Sequence, residues 1–421
     1  MLATARTRLG AIAAEIDRSI AILALLSFIS QVGVSIMLPL LPLYAVAVGA
    51  TPAEVGLMVS VFSVTSTVGQ LGSGFLSSRI SARRQMPLGQ AVYATGNFLI
   101  ATTTAALPLI TFRALSGLGG GLTIIAERLY IARVTVQSRL AFTNGVVSAA
   151  ASSGSVLGPL LGAVLALHDL RVPFFVVGCT ATVAGVAAFL FLPAQRHLPA
   201  GEPSAAATVM PEAVELVPGV EAPATPAVEA SPSRWEHASP LVRLAIWSVA
   251  FNAAYGSWIT TFGPYSKDVL GQPQVFVQLF FAPFGLGAIV FGPILARLAD
   301  RTGRRRMVAI GTVMLLSNIV ALIVGAPMIV LYASAAIAGG GLAAAQSAWF
   351  ALLAVATDSG RRGRSFGLVS ALSNLGVIAG ASVASSAWSA IGLREGMVSA
   401  AVFLVLAIAS LALVPSDRAR G

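Results

Sequence analysis

Ionisable side chains are the scarcest ingredient of this chain: Asp, Glu, Lys and Arg together make up 10% of its 421 residues. A soluble globular domain carries roughly 25%. That is too little charge to coat a water-soluble particle of this size, so a soluble monomer is excluded. Cysteine is scarcer still. Cys179 stands alone, which excludes an internal disulfide, and His168, His197 and His237 are too scattered to build a Cys/His metal cluster. Neither a phosphate-cradling glycine loop with its lysine nor a nucleophile elbow occurs, so an enzyme and an ATP-driven pump are set aside. No cofactor and no metal are expected.

Apolar residues are what the chain has in abundance, at 57% with a mean hydropathy of +0.87. They fall in repeated runs of about 20, the length needed to cross about 30 Å of hydrocarbon at 1.5 Å per residue. Repetition along the chain excludes a single anchor. Twelve spans are read near residues 19–47, 54–77, 86–106, 109–131, 142–167, 173–193, 241–262, 275–296, 307–325, 328–355, 366–390 and 396–414. The fold class is therefore an all-α polytopic membrane protein, with membrane lipids as its surroundings.

The formal charge of +10 would suggest nucleic acid in a soluble protein. In a membrane protein the placement of the basic residues decides instead, and no nucleic-acid partner is expected. With the amino terminus inside, every Lys and Arg except Arg113, Arg171, Lys267 and Arg394 falls on the cytoplasmic side. That bias places both termini in the cytoplasm of a cell carrying the protein in its plasma or inner membrane. Residues 1–18 read as an amphipathic lead-in to the first span rather than a removed signal peptide.

Residues 194–240 break the pattern with eight prolines and six glutamates. Such a stretch buries too little apolar surface to offset its chain entropy, and a disordered cytoplasmic linker is expected. It separates an amino-terminal unit, 1–193, from a carboxy-terminal unit, 241–421, each with six spans. The two units repeat at an offset near 222: Pro42 maps onto Pro264, Gly49 onto Gly271, Arg83-Arg84 onto Arg305-Arg306, and Ser148, Gly154 and Gly158 onto Ser370, Gly376 and Gly380. The triplet Gly119-Gly120-Gly121 recurs as Gly339-Gly340-Gly341 at offset 220. Two like-oriented repeats around one pathway are an architecture of rocking transporters, with the substrate site between them near the midplane.

The loop after the eighth span runs from Ala296 through Asp300, Arg301, Gly303, Arg304 and Arg305 to Arg306. It resembles the signature loop of the major facilitator superfamily, with Ala296 replacing the leading glycine. The first-half copy keeps Gly74, Arg79, Arg83 and Arg84 but has Ser78, Ser81 and Ala82 in place of the acid, the inner glycine and one arginine. Arg113 followed by Gly117, Gly119 and Gly120 is similar to the family's intramembrane arginine motif, and Gly154, Gly158, Pro159 and Gly162 to the motif of its antiporter branch, especially drug:proton exporters. The resemblance covers all twelve spans. It implies two six-helix bundles working as a monomer, and a cytoplasmic gate held by Arg79, Arg83, Asp300, Arg301, Gly303, Arg304 and Arg305. Ser78 carries no charge, so the first-half gate is expected to be weaker or differently latched.

The span-five glycines recur at i, i+4 and i+8, which allows close helix approach; they read either as ordinary packing or as a sealed, bendable contact between halves. Ionisable residues inside spans are costly unless they face a cavity or a partner. Glu127 lies 14 residues after Arg113, near the same helix face but about 21 Å along the axis. It reads as a proton-coupling candidate or as a partner of Arg128, Arg133 or Arg139. Glu54 has a structural reading, since Thr51-Pro52-Ala53-Glu54 fits a capping box. The first span holds no acid, although related exporters often place one there.

Polar residues at helical spacing, Ser27, Gln31 and Ser35 in the first span and Ser248, Asn252 and Tyr255 in the seventh, mark one face of each. In the superfamily these spans, with the fourth and tenth, line the central cavity. The resemblance thus implies a small-molecule site at Gln31, Arg113, Asn252, Tyr255, Gln346 and Trp349, although interhelical hydrogen bonding explains any one of them equally well. Sparse polar groups among apolar walls suit an amphipathic molecule better than a sugar. Three readings follow: export of hydrophobic or amphipathic compounds in exchange for protons, passage of a polar or anionic metabolite held by Arg113, and a non-transporting sensor or assembly factor.

Overall fold

The computed structural model describes residues 18–77, 79–135, 140–167, 169–193, 238–356 and 362–413, and these are helical almost throughout. In lipid every backbone N–H and C=O needs an internal partner, and a helix supplies one for each within its own segment. The first half comprises α1 (Arg18–Met37), α2 (Leu41–Ala47), α3 (Pro52–Leu76), α4 (Ala82–Thr102), α5 (Ala106–Val134), α6 (Leu140–Ala166) and α7 (Val172–Phe191). The second comprises α8 (Ala238–Pro264), α9 (Gln274–Leu279), α10 (Phe281–Thr302), α11 (Arg304–Ile323), α12 (Met328–Val355), α13 (Arg362–Ala390) and α14 (Leu393–Ser410). Nine helical stretches among the described residues are long and apolar enough to cross a membrane. The other three expected spans, α4, α8 and α13, are helices of 21, 27 and 29 residues whose polar side chains dilute their hydropathy. This is a multi-pass membrane protein.

Most of the expected linker lies outside the described residues, but α8 begins at Ala238, inside it. Pro240 is no obstacle there, because a first-turn residue has no intrahelical use for its N–H. Two expected spans are broken. Pro39 and Pro42 interrupt the first, and there the Leu40 N–H bonds the Met37 carbonyl at 3.0 Å, which releases the Ile36 carbonyl from its helical partner. The eighth span starts with the short α9 before α10 takes over. At the start of α3 the capping box is formed as expected: the Thr51 hydroxyl accepts from the Glu54 N–H at 3.3 Å, and the Glu54 carboxylate accepts from the Thr51 N–H at 2.7 Å.

Within the first half α1 packs on α6 and α7, α5 on α3 and α4, and α4 on α7. The second half repeats the scheme with α8 on α13 and α14, α12 on α10 and α11, and α11 on α14. Glycines set the close approaches. A Cβ on Gly119 would lie 2.7 Å from the Gly89 carbonyl oxygen, and one on Gly341 would lie 2.9 Å from that of Gly311. Likewise Gly117 abuts the Phe62 carbonyl and Gly339 the Phe284 carbonyl. All four residue pairs are related by the same step of 222. The glycine triplets are therefore equivalent at 222, Gly117 with Gly339 and Gly119 with Gly341, and the match at 220 is a coincidence of sequence. Between the halves, α3 meets α13, α6 meets α9 and α10, and α2 meets α8.

Candidate functional site

Two cavities lie along the seam between the halves. The first, of about 130 Å³, is walled chiefly by α8, α10 and α12, with Ser35, Ser155 and Pro159 facing it from the first half. Its character is aromatic. Trp247 stacks on Phe251 at 4.7 Å between ring centroids and tilts against Trp349 at 5.7 Å, while Trp258 meets Phe281 at 5.4 Å. Such pairs hold one another in place as well as burying area. Asn252, Tyr255, Gln346 and Trp349 all border this chamber. The Asn252 amide donates to the Ser248 carbonyl at 2.8 Å, and the Trp349 indole to the Leu244 carbonyl at 3.4 Å.

The second cavity, of about 140 Å³, is drawn mainly from the first half, with Asn374 and Val377 contributed by α13. Gln31, Arg113 and Glu127 border it. The six expected cavity residues are thus brought to one seam but divided between an aromatic chamber and a polar one. Gln31 donates to the Ser155 hydroxyl at 2.9 Å, so the polar stripe of α1 both lines the cavity and ties α1 to α6. At the far end of the stripe, the Ser27 hydroxyl donates to the Glu127 carboxylate.

Arg113 is the most constrained charge. It is 4% exposed, its guanidinium carbon sits 3.7 Å from the centroid of the Phe62 ring, and its Nη1 contacts the Met37 sulfur at 3.5 Å. The Phe62 face offers a cation–π partner that compensates part of the lost hydration. Its Nε has no hydrogen-bond partner, and among the described residues no carboxylate pairs with it.

The antiporter-like motif takes the packing reading for most of its length. A Cβ on Gly154 would lie 2.7 Å from the Phe28 carbonyl oxygen and one on Gly158 the same distance from that of Val32, so both glycines press α6 onto α1 inside the first half. Their equivalents Gly376 and Gly380 press α13 onto α8 in the same way. The expected contact between halves is left to Gly162, which abuts the Gln278 side chain of α9. Pro159 borders the aromatic chamber.

At the arginine-rich loops, Gly303 has φ of +96°, a conformation that ends α10 and starts α11 in one residue. The side chains of Asp300 and Arg301 lie outside the described residues, as does Ser78. Arg305 is half-buried, Arg304 has an interaction partner, and Arg79 is exposed. Arg83 donates to the Phe189 carbonyl at 3.4 Å, a cation at the carboxy-terminal end of α7 where the helix dipole favours it.

Sequence reasoning missed Trp247, Phe251, Phe281 and Tyr93 as lining residues. A signal existed for the first two: Trp247, Phe251, Tyr255 and Trp258 recur at i, i+4, i+8 and i+11 on one face of α8. Tyr93 and Phe281 carry none, since their place at the seam follows from how α4 and α10 tilt and pack.

The folded chain is a helical membrane protein with an internal repeat and chambers between its halves, the form of a solute carrier. The family model of the Major Facilitator Superfamily matches residues 23–311 and 246–421, and the chain belongs to that family. Among curated relatives, it is 24% identical over 179 residues to an uncharacterized transporter of this type from Methanocaldococcus jannaschii, covering 42% of this chain and 46% of the relative. It is 26% identical over 172 residues to the quinolone resistance protein NorA of Staphylococcus aureus, covering 41% of this chain and 43% of that protein. The matched stretches thus span less than half the length of these relatives. Solved structures share the fold over 94% of the chain: the nucleoside transporter NupG with a TM-score of 0.71 at 13% identity, covering 99% of that chain, and the human organic anion transporter TETRAN with 0.63 at 20%, also covering 99%.

Proposed function

We propose that this protein is a secondary transporter that exports small hydrophobic or amphipathic compounds by alternating access, in exchange for protons. The observation that carries this reading is the aromatic chamber at the seam. Rings from α8, α10 and α12 offer broad apolar contact, while Asn252 and Gln346 supply the few polar groups that orient a ligand. The distant likeness to a quinolone resistance protein supports the export direction.

Two six-helix units, 1–193 and 241–421, rock about the seam in this account, joined by the 194–240 linker. The arginine bias sets both termini and the linker in the cytoplasm. Glu127 carries the coupling proton, and the support is its place on the wall of the polar chamber, where Ser27 donates to it. A carboxylate on the wall of an internal cavity inside a span is where a functional proton site is expected. The protein works as a monomer, with Arg79, Arg83 and the Asp300–Arg305 loop at the cytoplasmic gate.

The test is accumulation of a panel of fluorescent amphipathic compounds in cells with and without the protein, before and after a protonophore. Expression lowers accumulation, and the protonophore restores it. Glu127→Gln abolishes the proton-dependent part. Accumulation that is unchanged by expression rules out export, and export that ignores the protonophore rules out proton coupling.

A further inference from the structure

The buried polar groups around the two chambers are unbalanced in sign. Five side chains that line them carry a buried atom with no hydrogen-bond partner: Tyr93 Oη, Arg113 Nε, Trp247 Nε1, Tyr255 Oη and Trp258 Nε1. Every one of these groups has a proton to donate, and three of them, the guanidinium and the two indoles, can only donate. The orphaned atoms that can only accept, Asn97 Oδ1 and Gln278 Oε1, line neither chamber. Arg113, Tyr93 and Trp247 are buried to 4%, 7% and 2% exposure. Arg113 and Tyr93 line one chamber, and Tyr255 lines the other. A buried donor left unmade is costly, and folded proteins rarely keep several together without a partner. A bound compound rich in acceptor oxygens would bring these donors a partner that the protein does not supply.

The one carboxylate lining either chamber is Glu127, and it cannot serve. It already accepts from Ser27, and 14 residues of α5 place it about 21 Å along the axis from Arg113. The aromatic wall begins beside the same donors, since Tyr255 and Trp258 are neighbours at 6.1 Å between ring centroids. An acceptor group held at Arg113 would therefore leave the rest of its molecule against rings.

We infer that the transported compounds are aromatic organic anions, whose carboxylate, or an equivalent oxyanion, sits between Arg113, Tyr93 and Tyr255 and whose ring system lies in the chamber of Trp247, Trp258 and Trp349. The inference rests on the transporter reading and narrows its substrate class. A planar guanidinium with a free N–H matches a carboxylate in geometry as well as in charge. A cationic amphiphile would leave every orphaned donor unpaired and add a second positive charge beside Arg113.

Equilibrium binding of three matched probes to the purified full-length protein tests this: 2-naphthoate, 2-naphthalenemethanol and 2-naphthylmethylammonium at neutral pH. The naphthoate binds about tenfold or more tightly than the alcohol, and the ammonium most weakly, in keeping with a charge-assisted bond in a buried site. Arg113→Met collapses the acid-to-alcohol ratio to near one, and Arg113→Lys, which keeps the charge but loses the fork, leaves a ratio of a few-fold. Tyr255→Phe removes a single hydroxyl and lowers the ratio several-fold, so the test stands even where a change at Arg113 prevents folding. Equal binding of acid and alcohol by the unaltered protein, no binding of any probe, or a ratio untouched by Arg113→Met and Tyr255→Phe overturns the inference. Proton-dependent export of neutral or cationic compounds without any preference for the acid would sink the anion site and leave the exporter standing. Preference for the acid with no movement in vesicles would do the reverse.

Discussion

Gln278 of α9 donates through its Nε2 to the main-chain carbonyl of Ile36 in α1 at 2.9 Å, so a side chain of one half closes a backbone group of the other. The bond exists because the prolines after Met37 free that carbonyl from its own helix. Gln278 is fully buried, and it fits because Gly162 leaves room: a Cβ there would lie 2.8 Å from the amide nitrogen. A step of 222 back from Gln278 is Gly56, where the sizes are exchanged and Ser385 of α13 is the side chain that fills the gap. The same seam is closed twice, by a side chain seated on a glycine each time. With both termini in the cytoplasm, as proposed above, this end faces the outside of the cell and these contacts form the proposed outer gate.

Removing the bond should loosen that gate. Gln278→Leu keeps apolar bulk but leaves the Ile36 carbonyl unpaired, at a cost of about 1–3 kcal/mol to the closed arrangement. Spin labels at Ala47→Cys and Val269→Cys in a Cys179→Ser background report the separation of the two outer ends. The expected result is a several-fold gain in the long-distance population. An unchanged distance distribution would show that the gate is held elsewhere.

The glycine contacts make opposite predictions for neighbouring positions. Gly117→Val drives a side chain into the Phe62 carbonyl, 2.7 Å from the first added carbon, and should cost about 1–3 kcal/mol. A Cβ on Gly72, one helix away, meets nothing within 4 Å. Gly72→Ala should be neutral or stabilising by up to about 1 kcal/mol through helix propensity. Unfolding temperatures of the two variants in detergent distinguish them, and equal shifts would contradict the assigned packing.

At the start of α3 the two capping residues act as a unit. Thr51→Ala and Glu54→Ala should each lower stability by about 1 kcal/mol. The double variant should lose less than the sum, because each single change already breaks the reciprocal pair. Strict additivity in thermal unfolding would mean that the hydrogen bonds contribute independently.

Among the lining aromatics, Trp258→Ala should weaken binding of a ring-bearing compound by tenfold or more, since large aromatics dominate such contacts. Leu286→Ala, on the exposed face of α10, should not. Equilibrium binding to the purified variants measures both, and equal losses would place the ligand outside the aromatic chamber.

Much of this was open to reading in the sequence, and what was not has identifiable reasons. Apolar run length gave the rods, and the repeat near 222 gave their grouping, because lipid leaves a chain few alternatives. The Thr51–Glu54 cap was legible since its chemistry is local. The glycine triplet misled, because sequence identity favoured a step of 220 while the packed carbonyls of Phe62, Phe284, Gly89 and Gly311 fix 222. Gly154 and Gly158 left packing within a half and a bendable contact between halves both open, because a stripe of glycines tells only that a helix comes close, not which one. Gln278 was invisible for the same reason: its partner is a carbonyl freed by a break in another helix, and no spacing in α9 records that.

The central claim is that the seam chamber opens to each side of the membrane in turn. A single cysteine at position 252, placed by Asn252→Cys in a Cys179→Ser protein reconstituted in vesicles, reports on it directly when a membrane-impermeant maleimide is applied to one face at a time. The account predicts labelling from both faces, in proportions that shift when a proton gradient is imposed. Labelling confined to one face under every condition would contradict it.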